Sequence, residues 1–344
     1  MMTHKERFYA TIECKPVDRP ASWLGLPTPG AVQNLIKHFQ VNDFHEVSQM
    51  LDDDIYPVEL PYHSPTSDAI YMAFDFAQQG HSDDEHRTLN SPGFFQHYSD
   101  PARVDDFDWP DPAKYISPEE CRRVVEAAPQ DRVILGVIWS AHFQDACAAF
   151  GMETALVKMM TEPEMFQVVI DRIADFYLKA NEIFYEATKG KLNAVLIGND
   201  FGSQQGLMLS PKLIRKFVWS GTRRLVEQAK SYGLKVIHHS CGSIYPIIQD
   251  LIDIGVDAIH PIQALAKDMS AEHMKEHFYG KVAFCGGVDA QELIVHGTPE
   301  QVYQRVKTLK ALFPTGLIIS PSHEAILPDV DPANIEAIFN ALKA

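Results

Sequence analysis

No apolar run in this sequence approaches the roughly 20 residues that crossing a bilayer takes, so a membrane partner is not expected. The opening stretch, Met1 to Lys15, is charged and lacks the apolar core of a secretory signal, which makes the cytoplasm the expected location. Cysteine is scarce. Cys14, Cys121, Cys147, Cys241 and Cys285 form an odd, scattered set, which does not describe a disulfide framework. Basic residues are outnumbered, 30 Lys and Arg against 46 Asp and Glu, for a formal charge of −16. An acidic surface repels phosphate backbones, so no nucleic-acid partner is expected. No G-x-G-x-x-G follows an early strand, which weighs against a dinucleotide-binding domain. Internal repeats and low-complexity linkers are also missing.

What remains is a globular composition, 46% apolar and 22% charged over 344 residues, enough to fill one large barrel core. The second half alternates strand and helix patterns. Short β-branched runs lie at 132–138, 192–197, 234–237, 256–259, 281–284 and 316–319, with 20–26 and 54–60 as the first two strands. Thr161 with Glu164 reads as a capping box opening a long amphipathic helix that Gly190 should end. Ser210-Pro211, Thr298-Pro299 and Asp331-Pro332 each place a capping side chain before a proline, whose missing N–H costs a first helical turn nothing. Gly233 and Gly255 mark helix ends before strands. Strands separated by helices imply a parallel sheet, because each parallel crossover needs a long connection. The expected fold is a single-domain (β/α)8 TIM barrel over residues 1–344, with a doubly wound open sheet as the alternative. It carries an N-terminal lead-in helix at 3–15 and an insertion at 62–118. The aromatics of that insertion either cover the barrel mouth, over 71–95, or pack outside it.

Active sites of such barrels lie where strands end. The residues just past the expected strands are Trp139-Ser140, Asn199-Asp200, His239-Ser240-Cys241, His260, Cys285 and Ser320-Pro321-Ser322-His323. His239 and Cys241 form H-x-C, with both side chains on one face of an extended chain. Imidazole nitrogen and thiolate sulfur suit zinc, and Cys285 and His323 are candidates to complete a tetrahedron. His238 alternates with His239 and should point away, into packing. Asp200 is a candidate to orient substrate or to hold a ligand histidine. Asp54 sits within three consecutive acids, a pattern more often solvated than catalytic, and stands second to Asp200 as a candidate catalytic carboxylate. The remaining cysteines are expected to be structural.

Three segments carry a family resemblance. "LSPKLIRKFVWSGTRRLVEQAKSYGLKVIHHSCG", "GGVDAQELIVHGTPEQV" and "IISPSHEAILPDVDPANI" resemble the uroporphyrinogen decarboxylase superfamily, as does the opening "KERFYATIECKPVDRPASW". Its decarboxylases use an arginine-rich segment near the barrel start to hold a polycarboxylate. The matching "RPASWLGLPTPG" offers only Arg19. Its zinc methyltransferases use H-x-C and a further cysteine after the last strand; His239 and Cys241 match, and His323 stands where that cysteine is expected. The resemblance implies a Zn²⁺ held by His239, Cys241 and either His323 or Cys285. It also implies methyl transfer between a small donor or acceptor and a corrinoid (cobalamin) carried by a partner protein. The competing expectations are a decarboxylase for a smaller acid, a metal-dependent hydrolase, and a non-catalytic tetrapyrrole binder.

Overall fold

The structure, a computed structural model, describes residues 1–77 and 91–344. Eight parallel strands form one nearly closed barrel sheet. They are β1 (Ala21–Ser22), β2 (Ile55–Glu59), β3 (Val133–Trp139), β4 (Ala194–Gly198), β5 (Lys235–His239), β6 (Ala258–Ile262), β7 (Ala283–Val288) and β8 (Leu317–Pro321). Consecutive strands pair from β2 round to β8, and β8 pairs with β1, Ala21 lying beside Ile318. Six of the strands reach further towards the C-terminus than their apolar runs suggest. Polar and glycine residues such as His238-His239 and Gly286-Gly287 continue the extended chain.

Strand alternation sorts the core into two layers. Val133, Leu135, Val137, Ala194, Leu196, Ile237, Ala258, Ala283 and Ile318 point inward and fill the barrel. Their neighbours Ile134, Val195, Val236, Ile259 and Phe284 point outward into the helices. The lead-in helix His4–Ile12, opened by a Thr3/Glu6 capping box, drives Phe8 and Ile12 into the same interior fill. The Pro-initiated helices begin as expected: Ser210, Thr298 and Asp331 accept from Leu213 N, Gln301 N and Ala333 N. Thr161 does not cap. It ends the helix Met152–Thr161, and the long helix Pro163–Ala187 starts after Glu162.

The seam between β1 and β2 has no strand ladder. Side chains close it. The Asp53 carboxylate accepts from Leu24 N at 2.8 Å and from Ser22 Oγ at 2.8 Å, and that of Asp54 accepts from Ser22 N at 2.9 Å. The Asp54 oxygens also receive Arg7 (2.6 Å), Arg19 (2.7 Å) and His4 (2.7 Å).

The described part of the aromatic segment packs on the outer helices. Phe74 meets Phe176 at 4.7 Å between ring centroids, Phe76 meets Phe107 at 4.8 Å, and Phe95 meets Phe150. Phe95 N also bonds Ala149 O, tying the segment to the helix His142–Phe150. Of the expected mouth cover at 71–95, residues 78–90 lie outside the described residues.

Candidate metal and active site

The alternation that buries Ile237 inside the barrel also turns His239 inward, at the C-terminal mouth. It turns His238 outward with Val236. Gly198 on β4, His239 on β5 and His260 on β6 lie abreast in register. Two residues on, Cys241 comes off the strand end. Its backbone N–H donates to Asp200 Oδ1 at 2.8 Å, and its Sγ lies 3.4 Å from His239 Nε2. The β4 and β5 loops touch backbone to backbone at Gly202 and Gly242. A Cβ on Gly242, whose φ is +82°, would fall 2.4 Å from the Gly202 carbonyl carbon, so only glycine lets Asp200 and Cys241 come this close.

The loop after β8 supplies the opposite wall, with His323 and Glu324. Glu324 is fixed through its backbone. Its carbonyl accepts from Leu26 N at 2.7 Å, where the short strand Leu26–Pro27 pairs in parallel with Ala325–Ile326. Gly25, at φ +96°, permits that approach, since a Cβ there would lie 2.4 Å from Glu324 O. The donor atoms fall into three overlapping triplets, each within 4.8 Å: Asp200/His239/Cys241, Cys241/His323/Glu324 and His239/His260/Glu324.

The cluster is electrostatically coupled. Burial opposes ionisation of Cys241, yet hydrogen bonds from His239 and His323 bring its thiol below the ordinary range. Burial likewise opposes a charge on His239, but Glu324, Asp200 and Cys241 together raise it well above the usual imidazole value. Asp200, despite burial, is pulled down to about 2, chiefly by its hydrogen bond with His239. His260 is driven well below its normal range by burial, with His239 and His323 adding repulsion. Neutral His260 therefore accepts the His239 Nδ1–H through its own Nδ1, at 2.9 Å, and fixes that ring. Trp139 stands edge-on against His239, with centroids 5.4 Å apart.

Glu324 Oε2 is buried with no hydrogen-bond partner. Its nearest nitrogens are His239 Nδ1 at 3.5 Å and His323 Nδ1 at 3.6 Å. A buried carboxylate oxygen left without a hydrogen bond is costly unless something cationic answers it. Nitrogen, sulfur and carboxylate oxygen around one point are the donors zinc takes. By both criteria the residues present fit a divalent transition metal.

His239, Cys241, His323 and Asp200 are thus brought together. Two other sequence candidates are not. Cys285 was read as lying past its strand, but β7 runs on to Val288. Cys285 is therefore an inward, fully buried part of the barrel fill, beside Ile318 in register, and burial pushes its thiol far up. Asp54 precedes β2 and so lies at the opposite end of the barrel, saturated by Arg7, Arg19, His4 and Ser22. The carboxyl at the mouth end of that strand is Glu59. Its side chain reaches solvent, and partial burial of the carboxyl raises its pKa. Sequence reading missed Glu59 and Glu324. The second directly follows His323, so one more residue of the strand-end loop would have exposed it. His238 packs outward, as expected, parallel to Phe201.

Barrel and mouth define the class: a (β/α)8 enzyme barrel with a histidine–thiol–carboxylate cluster at the C-terminal ends of its strands. A family model described as Uroporphyrinogen decarboxylase (URO-D) matches residues 3–344, and the chain belongs to that family. It is 28% identical over 196 residues to a uroporphyrinogen decarboxylase of Pseudoalteromonas translucida (strain TAC 125), covering 53% of this chain and 49% of the relative. It is 26% identical over 176 residues to a methylated-thiol–coenzyme M methyltransferase of Methanosarcina mazei, covering 49% and 42%. The chain spans about half the length of the curated relatives it matches. Among solved structures, a methyltransferase from Methanosarcina mazei superposes with a TM-score of 0.70 at 16% identity, over 100% of this chain and 99% of that one, a likeness of fold. Among the described residues, no helix is long and apolar enough to cross a membrane.

Proposed function

We propose that this protein is a zinc-dependent methyltransferase, moving a methyl group between a small thiol, ether or amine and a corrinoid carried by a partner protein. The carrying observation is the convergence of His239, Cys241, His323 and Glu324 at the barrel mouth, around a carboxylate oxygen with no hydrogen bond. His239, Cys241 and His323 would hold the ion, with the Glu324 carboxylate beside them and Asp200 as the acceptor for Cys241 N. Cys285 has no part in this set. Bound zinc supplies a Lewis-acid centre with an open position for the sulfur, oxygen or nitrogen that carries the methyl group.

The chain's own groups do the rest. His260 and Asp200 orient His239 from two sides, and loading releases the protons that His239 and His323 otherwise hold. Trp139 shields one flank of His239 from water. In the demethylating direction the X–CH3 bond would break with its electron pair remaining on X, X would take a proton from solvent, and the reduced corrinoid of the partner protein would be the methyl acceptor, supplying the pair for the new bond. A decarboxylase for a polycarboxylate would need cations at the mouth, and Arg7 and Arg19 are both committed to Asp54 at the other end.

The test follows the corrinoid spectrum while zinc-loaded protein meets methylcob(III)alamin with thiols, or cob(I)alamin with methylated donors. Interconversion of the two spectra is expected, and its loss in Cys241→Ala together with most of the bound zinc. Full zinc content in that variant, or no spectral change with any pairing, overturns the reading.

A further inference from the structure

A cavity of about 370 Å³ adjoins the cluster, and His323 lines both. That volume falls in the range of small-molecule sites, roughly 300–1,000 Å³. We propose that this cavity seats the methyl-bearing substrate and admits those with an apolar or aromatic body and no negative charge. The assignment rests on the methyl-transfer reading of the adjoining cluster.

The walls argue for the apolar body. Ile294, Leu327 and Val330 line the cavity from the loops after β7 and β8. One polar group is aimed for use. Ser322 is buried, and its Oγ already accepts from Ala290 N at 3.0 Å, which leaves its hydroxyl proton to donate to a ligand ether or hydroxyl. Its place next to His323 in the chain puts that donor beside the ligand cluster.

The charge argument is sharper. Among the described residues no lysine or arginine lines this cavity; its ionisable lining is Asp329, His296 and His323, the last of them in the ligand cluster. Glu324 stands beside His323 in the adjoining cluster, and Asp200 lies with His239 and Cys241. The Cys241 thiolate and the Glu324 carboxylate together balance a divalent ion, so a loaded cluster leaves little positive charge to hold an anion. A carboxylate or sulfonate entering here loses water and gains no lysine or arginine partner, in a chain whose formal charge is already −16. A neutral or ammonium-bearing ligand meets no such penalty.

Three ligands of one shape separate the cases: 4-methoxybenzyl alcohol, 4-methoxybenzylammonium and 4-methoxybenzoate. Calorimetric titration of the zinc-loaded protein without corrinoid reads binding apart from turnover. The alcohol and the ammonium are expected to bind at least about tenfold more tightly than the carboxylate, a difference one unscreened charge contact readily supplies. Leu327→Lys places a cation in the wall at a half-exposed position where folding is not at stake. It is expected to strengthen carboxylate binding about tenfold and weaken the ammonium. Equal or tighter binding of the carboxylate to the parent protein overturns the proposal. So does failure of all three to bind, or indifference of all three to Leu327→Lys. If the charge order holds while no corrinoid spectrum ever changes, methyl transfer fails and what stands is the cavity's preference for uncharged or cationic ligands.

Discussion

The two ends of the barrel are built from similar parts and finished differently. At the N-terminal end, His4, Arg7 and Arg19 surround Asp54, and every oxygen of that buried carboxylate is answered. At the mouth, His239 and His323 face Glu324 across a thiol, and one carboxylate oxygen has no hydrogen bond. A buried ionic cluster with every valence filled holds a fold in register. One with a valence open is prepared to take something in. The residue types alone do not separate the two; the direction of the strands does. Whatever precedes a parallel barrel strand becomes floor, and whatever follows it becomes mouth.

The hardest blow to this contrast is Asp54→Ala. It strips a fully buried counter-charge from Arg7 and Arg19, whose side chains are themselves nearly buried, and it unlocks the β1–β2 seam. Breaking a buried pair in this way costs about 3–5 kcal/mol. Urea denaturation should show that loss, with zinc content unchanged in the protein that still folds. A denaturation curve superimposable on the parent's would remove the distinction between lock and site.

Gly25→Ala tests the mouth through its scaffold. A side chain at φ +96° is strained by about 1–3 kcal/mol, and its Cβ would press on the Glu324 carbonyl. Chelator competition should show zinc held more weakly by a larger factor than the drop in global stability accounts for, because the displaced residue belongs to the ligand cluster. Equal losses of both would make Gly25 a matter of folding alone.

The smallest effect sharpens the floor. Asp53 is wholly buried, and burial raises its pKa to about 7. Its folded pKa therefore lies above the unfolded value of about 3.9, so the native state keeps a proton that the unfolded chain gives up. Stability should decline from about pH 4 to about pH 7 on this account and stay level above. Asn at this position keeps one acceptor oxygen for Leu24 N and turns its amide N–H towards Ser22 Oγ, which can accept, without the titration. Asp53→Asn should thus gain on the parent between pH 5 and pH 8 in thermal melts, and a pH-independent difference would refute the assignment. Asp54 has the opposite sign: burial opposes its charge, but His4, Arg19 and Arg7 hold its pKa low, so its contribution fades only in acid.

Much of this arrangement was legible in the sequence, for physical reasons. Period-two alternation places His239 inward as soon as Ile237 is read as core, and H-x-C then follows on one face. The serine-, threonine- and aspartate-proline helix starts are local chemistry and came through intact. Errors gathered where apolar character stops before the strand does. Cys285 was assigned to a loop because Gly286-Gly287 does not read as strand, although both glycines lie in β7. Asp54 is a catalytic candidate only by the family resemblance, and its place before β2 puts it at the end of the barrel away from the mouth. Glu324 was invisible for a different reason. Its position depends on a long-range backbone bond to Leu26, and no local pattern announces such a bond.

The tie between Leu26–Pro27 and Ala325–Ile326 bears on how the protein is made. Asp200, His239 and Cys241 leave the ribosome well before His323 and Glu324 exist. A nascent chain therefore carries half a ligand set through most of its synthesis, with the β1 loop waiting unpaired. Only when the last strand docks beside the first does the mouth acquire its second wall. On the proposed reading, metal capture would then be the closing event of biogenesis.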